Sequence, residues 1–166
     1  TLYAKWQELF DIVYDCNGHG TQLDIVYNKS NLPQELPTLS ETGYKFEGWY
    51  YDNEFKKEAK ANDLLTSDVT LYAKWTSHEY QVKFNLNGAT GSIDSLTVKY
   101  GEELIIPVCN ISYIGHNFVS WNTKADGSGD TYLELTKIKN LTLEDSITLY
   151  AIWEKDTFEV SFNANG

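Results

Sequence analysis

A six-residue string written three times constrains this chain more than any other feature. Thr1-Leu2-Tyr3-Ala4-Lys5-Trp6 returns letter for letter as Thr70-Leu71-Tyr72-Ala73-Lys74-Trp75, and with one change as Thr148-Leu149-Tyr150-Ala151-Ile152-Trp153. The starts at 1, 70 and 148 lie 69 and 78 residues apart. That period is too long for a solenoid unit and suits a unit that buries a small core of its own. The string itself reads as a strand. Val69, Leu71, Ala73 and Trp75 share one parity and point at a core, while Thr70, Tyr72 and Lys74 point at solvent.

A second recurring motif sets the phase. Phe10, Ile12, Tyr14 and Cys16 alternate with Asp11, Val13 and Asp15 and run into Asn17-Gly18. Tyr80, Val82, Phe84 and Leu86 do the same into Asn87-Gly88, and Phe158, Val160, Phe162 and Ala164 into Asn165-Gly166. An alternating run followed by Asn-Gly predicts a strand and a tight turn. Each unit therefore opens with this strand and closes with the repeated string. The boundaries are 1–6, the last strand of a preceding truncated repeat; 7–75 and 76–153, two complete units; and 154–166, the opening of a following one. The chain lacks Met and starts and stops inside a repeat, so it is expected to be a piece of a longer protein. The orphan strands at its two ends would expose unpaired edges, which invite strand-mediated self-association.

Inside each unit the pattern is a hairpin, a crossover and two further strands. The hairpin partners are Leu23 to Tyr27 and Leu96 to Tyr100. Leu32, Pro33, Leu36 and Pro37, matched by Leu104, Ile105, Ile106 and Pro107, mark a crossover, because proline lacks a ladder donor. Gly43 to Tyr50 and Gly115 to Trp121 supply the third strand, with Phe46 and Phe118 as expected core anchors and Trp49 and Trp121 covering the sheet edge. Residues 53–60 have helical propensity, but the equivalent Lys124 to Asp130 is rich in glycine and cannot be helical, so a loop is expected in both. The linkers around Ser77-His78-Glu79 and Glu154-Lys155-Asp156 are short and hold no Gly or Pro, so successive units should be fairly rigidly related.

Composition narrows the function. Thirteen lysines and no arginine face 24 acidic residues, a net charge of −11 spread over both units. Nucleic-acid binding needs a basic footprint and is excluded as an expectation. No stretch is long and apolar enough to insert in a membrane as a helix. Cys16 falls on the inward parity and reads as a small buried hydrophobe, and a bridge to Cys109 would have to cross units.

No catalytic or cofactor constellation is legible. His19, His78 and His116 are dispersed and lack the partners that a metal or a nucleophile needs. Carboxylate pairs such as Glu102-Glu103 and Glu144-Asp145 are what so acidic a surface carries by default. Asn28, Asn110 and Asn140 head glycosylation sequons. Asp126, Ser128 and Asp130 alternate like the start of a calcium loop, but the twelfth position falls on Lys137, so the segment reads better as a turn. The outward Tyr72 and Tyr150 are the candidate partner-binding surface, since aromatic faces stack on sugars and anchor proteins.

The alternating opening with Asn-Gly, the Gly-Tyr-x-Phe-x-Gly-Trp block at Gly43 to Trp49, and the Thr-Leu-Tyr-Ala-Lys-Trp ending resemble the Listeria–Bacteroides repeat, the B-repeat of internalin-type surface proteins. The second unit departs from the pattern at His116 and Ser120. The resemblance implies a mainly β or α+β, β-grasp-like fold in tandem small repeat domains. It also implies a bacterial cell-surface or secreted location and a non-enzymatic role as spacer or adhesion module, with no catalytic residues and no cofactor. A host or cell-wall protein or a glycan would be the partner, and a carbohydrate-binding module is the alternative.

Overall fold

The alternation around Leu71 and Ala73 builds strands, and the strands assemble twice over. The computed structural model describes residue 4 and residues 6–163. The chain divides into two compact units, Thr1–His78 and Glu79–Gly166. The repeated string at Thr1 to Trp6 and the last Asn-Gly lie largely outside the described residues.

The first unit contains β1 (Phe10–Asp15), β2 (Val26–Lys29), β3 (Tyr44–Tyr50) and β4 (Val69–Ser77). They form one sheet in the order β2-β1-β4-β3. β1 pairs antiparallel with β2 and parallel with β4, and β4 pairs antiparallel with β3. The second unit contains β5 (Glu79–Asn85), β6 (Leu96–Lys99), β7 (Leu104–Ile105), β8 (His116–Asn122), β9 (Thr131–Tyr132), β10 (Lys137–Ile138) and β11 (Ser146–Lys155). Its main sheet runs β6-β5-β11-β8-β9, with β7 and β10 as a separate pair. In both units the opening and closing strands are parallel neighbours at the centre of the sheet. Parallel neighbours need a long connection, which here runs through the hairpin partner, the proline-bearing crossover and the third strand.

No helix occurs among the described residues, so the fold is all-β and the α+β alternative is corrected. Residues 53–60 are a loop because Asp52 holds it: its carboxylate accepts the backbone N–H of Glu54, Lys56 and Lys57 at 2.9–3.1 Å. Local side-chain acceptors of this kind compete with helix formation. The first hairpin partner starts at Val26, later than Leu23, because Gln22 Nε2 donates to the Tyr14 carbonyl at 2.7 Å where a ladder bond would form.

Each unit has its own core. Ile12, Tyr14, Cys16, Leu71 and Ala73 are buried with Leu32, Trp49, Ala59 and Leu65 in the first. Tyr80, Val82, Leu86, Leu149 and Ala151 are buried with Val98, Leu104, Ile106 and Trp121 in the second. Both cysteines are free thiols.

The tryptophans of the third strands overturn one expectation. Trp49 and Trp121 are 1% and 0% exposed and form the centre of the cores, while Phe46 and Phe118 are only partly buried against them. Phe46 and Trp49 are three apart and would face opposite sides of a regular strand. The register shift between Phe46 and Gly48 inserts Glu47 as an extra residue and returns both aromatics to one face. The shift opposite Ile152 and Trp153 does the same for Phe118 and Trp121. Each indole N–H then donates to a crossover proline carbonyl, Trp49 to Pro37 at 2.7 Å and Trp121 to Pro107 at 3.2 Å.

Residues 157–163 form no strand, and Phe158, Val160 and Phe162 are exposed.

Candidate functional site

The two recurring motifs meet in space. Asn17 follows β1 in a left-handed conformation, φ 52°, and its Nδ2 donates to the Ala73 carbonyl of β4 at 2.7 Å. Trp75 answers from β4, its indole N–H donating to the Cys16 carbonyl at 3.0 Å. The second unit repeats the arrangement: Asn87 donates to the Ala151 carbonyl at 3.0 Å and Trp153 to the Leu86 carbonyl at 2.7 Å. The Asn of each turn and the Trp of each closing string are thus one reciprocal tie between opening and closing strands.

A ring layer covers each tie. In the first unit His19 packs on Tyr44 with ring centroids 4.0 Å apart and lies 5.7 Å from Trp75. In the second, His116 stands at the position of Tyr44 and stacks on Tyr113 at 4.1 Å, with Tyr113 edge-on to Trp153. Glu41 occupies the position of Tyr113 in the first unit and accepts the Gly20 N–H instead. Gly20 is held at φ +69°, and a Cβ there would meet the Trp75 ring at 3.3 Å. In the second unit an open recess of about 300 Å³ borders this layer, lined by Asn87, Tyr113, His116, Asp126, Trp153 and Lys155.

Tyr72 and Tyr150 lie on the outward parity of β4 and β11, half-buried, in different company. Tyr72 sits opposite Tyr50 on β3 and Asp15 on β1. Tyr50 meets Phe55 edge-on at 5.5 Å, and Lys74 Nζ hangs 5.2 Å from the Tyr50 ring and 5.9 Å from the Phe55 ring. The first unit therefore gathers two further aromatic rings and one ammonium beside Tyr72. Tyr150 instead faces Asn122 and Asn85. Sequence reasoning missed Tyr50 and Phe55. A bulge decides which face Tyr50 joins, and the Phe-x-x-Trp spacing is its only signal in the sequence.

The Asp126 to Asp130 loop is organised by one buried amide. Asn122 Nδ2, with two N–H donors, lies within hydrogen-bond distance of the Gly127 and Gly129 carbonyls and Thr131 Oγ1, and its Oδ1 accepts the N–H of Lys124 and Gly129, all at 2.9–3.1 Å. Asp126 accepts the Ser128 N–H at 3.0 Å, which holds its carboxyl below the usual range. The Asp130 N–H donates to Thr123 Oγ1. No group of three or more His, Cys, Asp or Glu among the described residues is placed to hold a metal ion. Burial pushes the Cys109 thiol up, away from the range of a reactive thiolate.

Comparison with known proteins follows the same two-unit division. Residues 10–74 and 80–152 each match the family model of the Listeria-Bacteroides repeat domain. A protein of Evansella cellulosilytica provisionally named a membrane protein is 30% identical over the whole chain, which covers 24% of it. A second from that organism, provisionally named a Gly-rich membrane protein, is 34% identical over 81% of the chain, which covers 17% of it. Internalin H of Listeria monocytogenes is 26% identical over 94% of the chain, which covers 27% of it. The chain thus spans about a quarter or less of the length of these relatives. No solved structure matches the chain significantly.

Proposed function

Because the chain belongs to the Listeria–Bacteroides repeat family, of which it carries two copies in tandem, we propose that it is a non-enzymatic spacer module of a bacterial cell-surface or secreted protein. The observation that carries this reading is the self-containment of each copy. Opening and closing strands are neighbours in one sheet, each copy has a separate core, and copies can be added without rebuilding what came before. The names of the relatives, two assigned to membranes and one an internalin, favour a surface or membrane-associated location. The central parallel pair flanked by antiparallel strands supports a β-grasp-like assignment whose crossover carries no helix.

The test is autonomy. Residues 7–78 and 79–156, prepared separately, should each unfold cooperatively at the midpoint they show in the full chain. A fragment without a transition would defeat the spacer reading, because a unit that cannot stand alone cannot be multiplied freely.

A second reading, a glycan-binding face, is favoured by the Tyr50, Phe55, Tyr72 and Lys74 cluster. Exposed aromatic rings stack on the apolar faces of sugars, and the acidic surface disfavours polyanionic glycans. Glycan-array binding lost on Tyr72→Ala and kept on Tyr150→Ala would support this reading, since among the described residues Tyr72, and not Tyr150, has aromatic company. Equal loss in both variants, or no binding, would count against it.

A further inference from the structure

We infer that each repeat is a mechanical clamp, in which the parallel pair of opening and closing strands carries tension along the chain in shear; the inference rests on the spacer reading. A spacer transmits force from one end to the other, and the strand pairing decides how that force reaches the hydrogen bonds. In the first unit the register runs from Ile12↔Val69 to Asp15↔Tyr72, so both strands point the same way. Tension enters at the start of β1 and leaves at the end of β4, so it drags the strands past each other along their own axes. All the ladder bonds then share the load and must fail together. In the second unit the same geometry runs from Gln81↔Ser146 to Asn85↔Tyr150. An antiparallel hairpin pulled at its open end would instead unzip, losing its bonded pairs in succession.

The pair is reinforced at both ends. At the entry, the Asp11 N–H donates to Asp68 Oδ1 at 2.9 Å in the first unit. In the second, the Gln81 N–H donates to the Asp145 carbonyl at 3.0 Å and Lys83 Nζ to Ser146 Oγ at 3.2 Å. At the far end lie the Asn17–Ala73 and Trp75–Cys16 bonds and their counterparts Asn87–Ala151 and Trp153–Leu86. These side chains span the two strands that tension slides apart. Both motifs that recur in the sequence therefore act on the same pair. A further strand flanks the pair on each side, and Ile12, Leu71 and Ala73, like Val82, Leu149 and Ala151, seal its inner face at 0% exposure. Water is kept from that side of the loaded bonds. Resistance of this kind is a property of the unfolding rate, and tight bonds that must all break before unfolding begins slow that rate most.

Single-molecule pulling tests the inference on the full chain. Held by its two ends, the chain should give two discrete ruptures, releasing contour lengths of roughly 250 and 280 Å at about 3.6 Å per residue. A second geometry takes hold of the second unit between an azide-bearing residue placed at the exposed Thr90, in the turn after β5, and the C-terminal end. That pull loads β5 and β11 at the same end of their ladder and peels them apart. The peeling force should be several-fold lower than the rupture force of the same unit pulled end to end. Trp153→Phe, which removes the indole donor and keeps the ring, should lower the rupture force of the longer release and leave the shorter one unchanged. Equal forces in the two geometries would overturn the clamp while leaving two independent ruptures, and with them the spacer reading, in place. A single rupture for the whole chain would instead remove the spacer reading on which the clamp rests.

Discussion

Tyr14 hides a hydroxyl that nothing answers. Its Oη is buried without a hydrogen-bond partner among the described residues, and burial raises its pKa above the ordinary value. The second unit has Phe84 at the same place, and the ring geometry is kept: Tyr14 meets Trp49 at 4.8 Å and 62°, Phe84 meets Trp121 at 4.9 Å and 63°. An unpaired buried hydroxyl carries a desolvation cost, so Tyr14→Phe should stabilise the first unit by about 1 kcal/mol, read from urea unfolding. Tyr51 is the opposite case, with its hydroxyl donating to Asp63 Oδ2 at 3.0 Å. Burial first, and then the Asp63 carboxylate, push its pKa up to about 12 from the ordinary value of 10. Below pH 10 the folded and unfolded chains both keep this proton, and the stability it contributes is fully present and does not change with pH. Above pH 10 the unfolded chain loses the proton while the folded one holds it, so stability falls as pH rises towards 12. Tyr51→Phe should flatten that fall in a pH series of thermal unfolding; an unchanged slope would exclude Tyr51 as its source.

Strands were legible where two-residue alternation decides the faces, and illegible where it breaks. Ile12, Tyr14, Cys16, Leu71 and Ala73 sit inside as their parity requires. Trp49 and Trp121 do not follow a simple parity count, because a bulge lies between them and Phe46 or Phe118. The sheet order was also out of reach, since no local pattern states that the first and last strands of a unit lie side by side. Loop residues 53–60 were ambiguous because helical propensity and the Asp52 acceptor pull in opposite directions, and only the folded loop shows the acceptor winning. The aromatic company of Tyr72 depended on the same bulge. Gly48 makes that bulge possible in the first unit at φ +137°, a conformation L side chains rarely adopt. A Cβ there would find space, with Glu58 Oε1 at 3.9 Å as its nearest neighbour, so the cost of Gly48→Ala is backbone strain alone. It should destabilise the first unit by about 1–3 kcal/mol in denaturant titration. The second unit tolerates Ser120 at this place without a positive φ, which predicts a much smaller loss for Ser120→Ala.

At the level of the whole molecule, separate cores predict separate failures. Leu71 and Leu149 are equivalent and both 0% exposed, one in each core. Truncation to Ala should cost about 2–5 kcal/mol at either site. Leu71→Ala should speed hydrogen exchange only in residues 7–78, and Leu149→Ala only in residues 79–156. Acceleration in both halves from either change would mean that the units share stability. The net charge of −11 belongs to this scale too: it bears on association between molecules without selecting any fold.

The residue just past each closing strand is bonded backwards. His78 donates its backbone N–H to the Gly43 carbonyl at 2.8 Å, and Asp156 donates to the Gly115 carbonyl at 2.9 Å. Backbone bonding of each sheet therefore continues past the signature tryptophan, to His78 in the first unit and to Asp156 in the second. A chimera spliced between 78 and 79 carries every such backbone bond of the first cassette intact. One spliced after Trp75 discards the partners of Tyr44 and Lys45, Ser77 and Thr76, and frays the end of its own sheet.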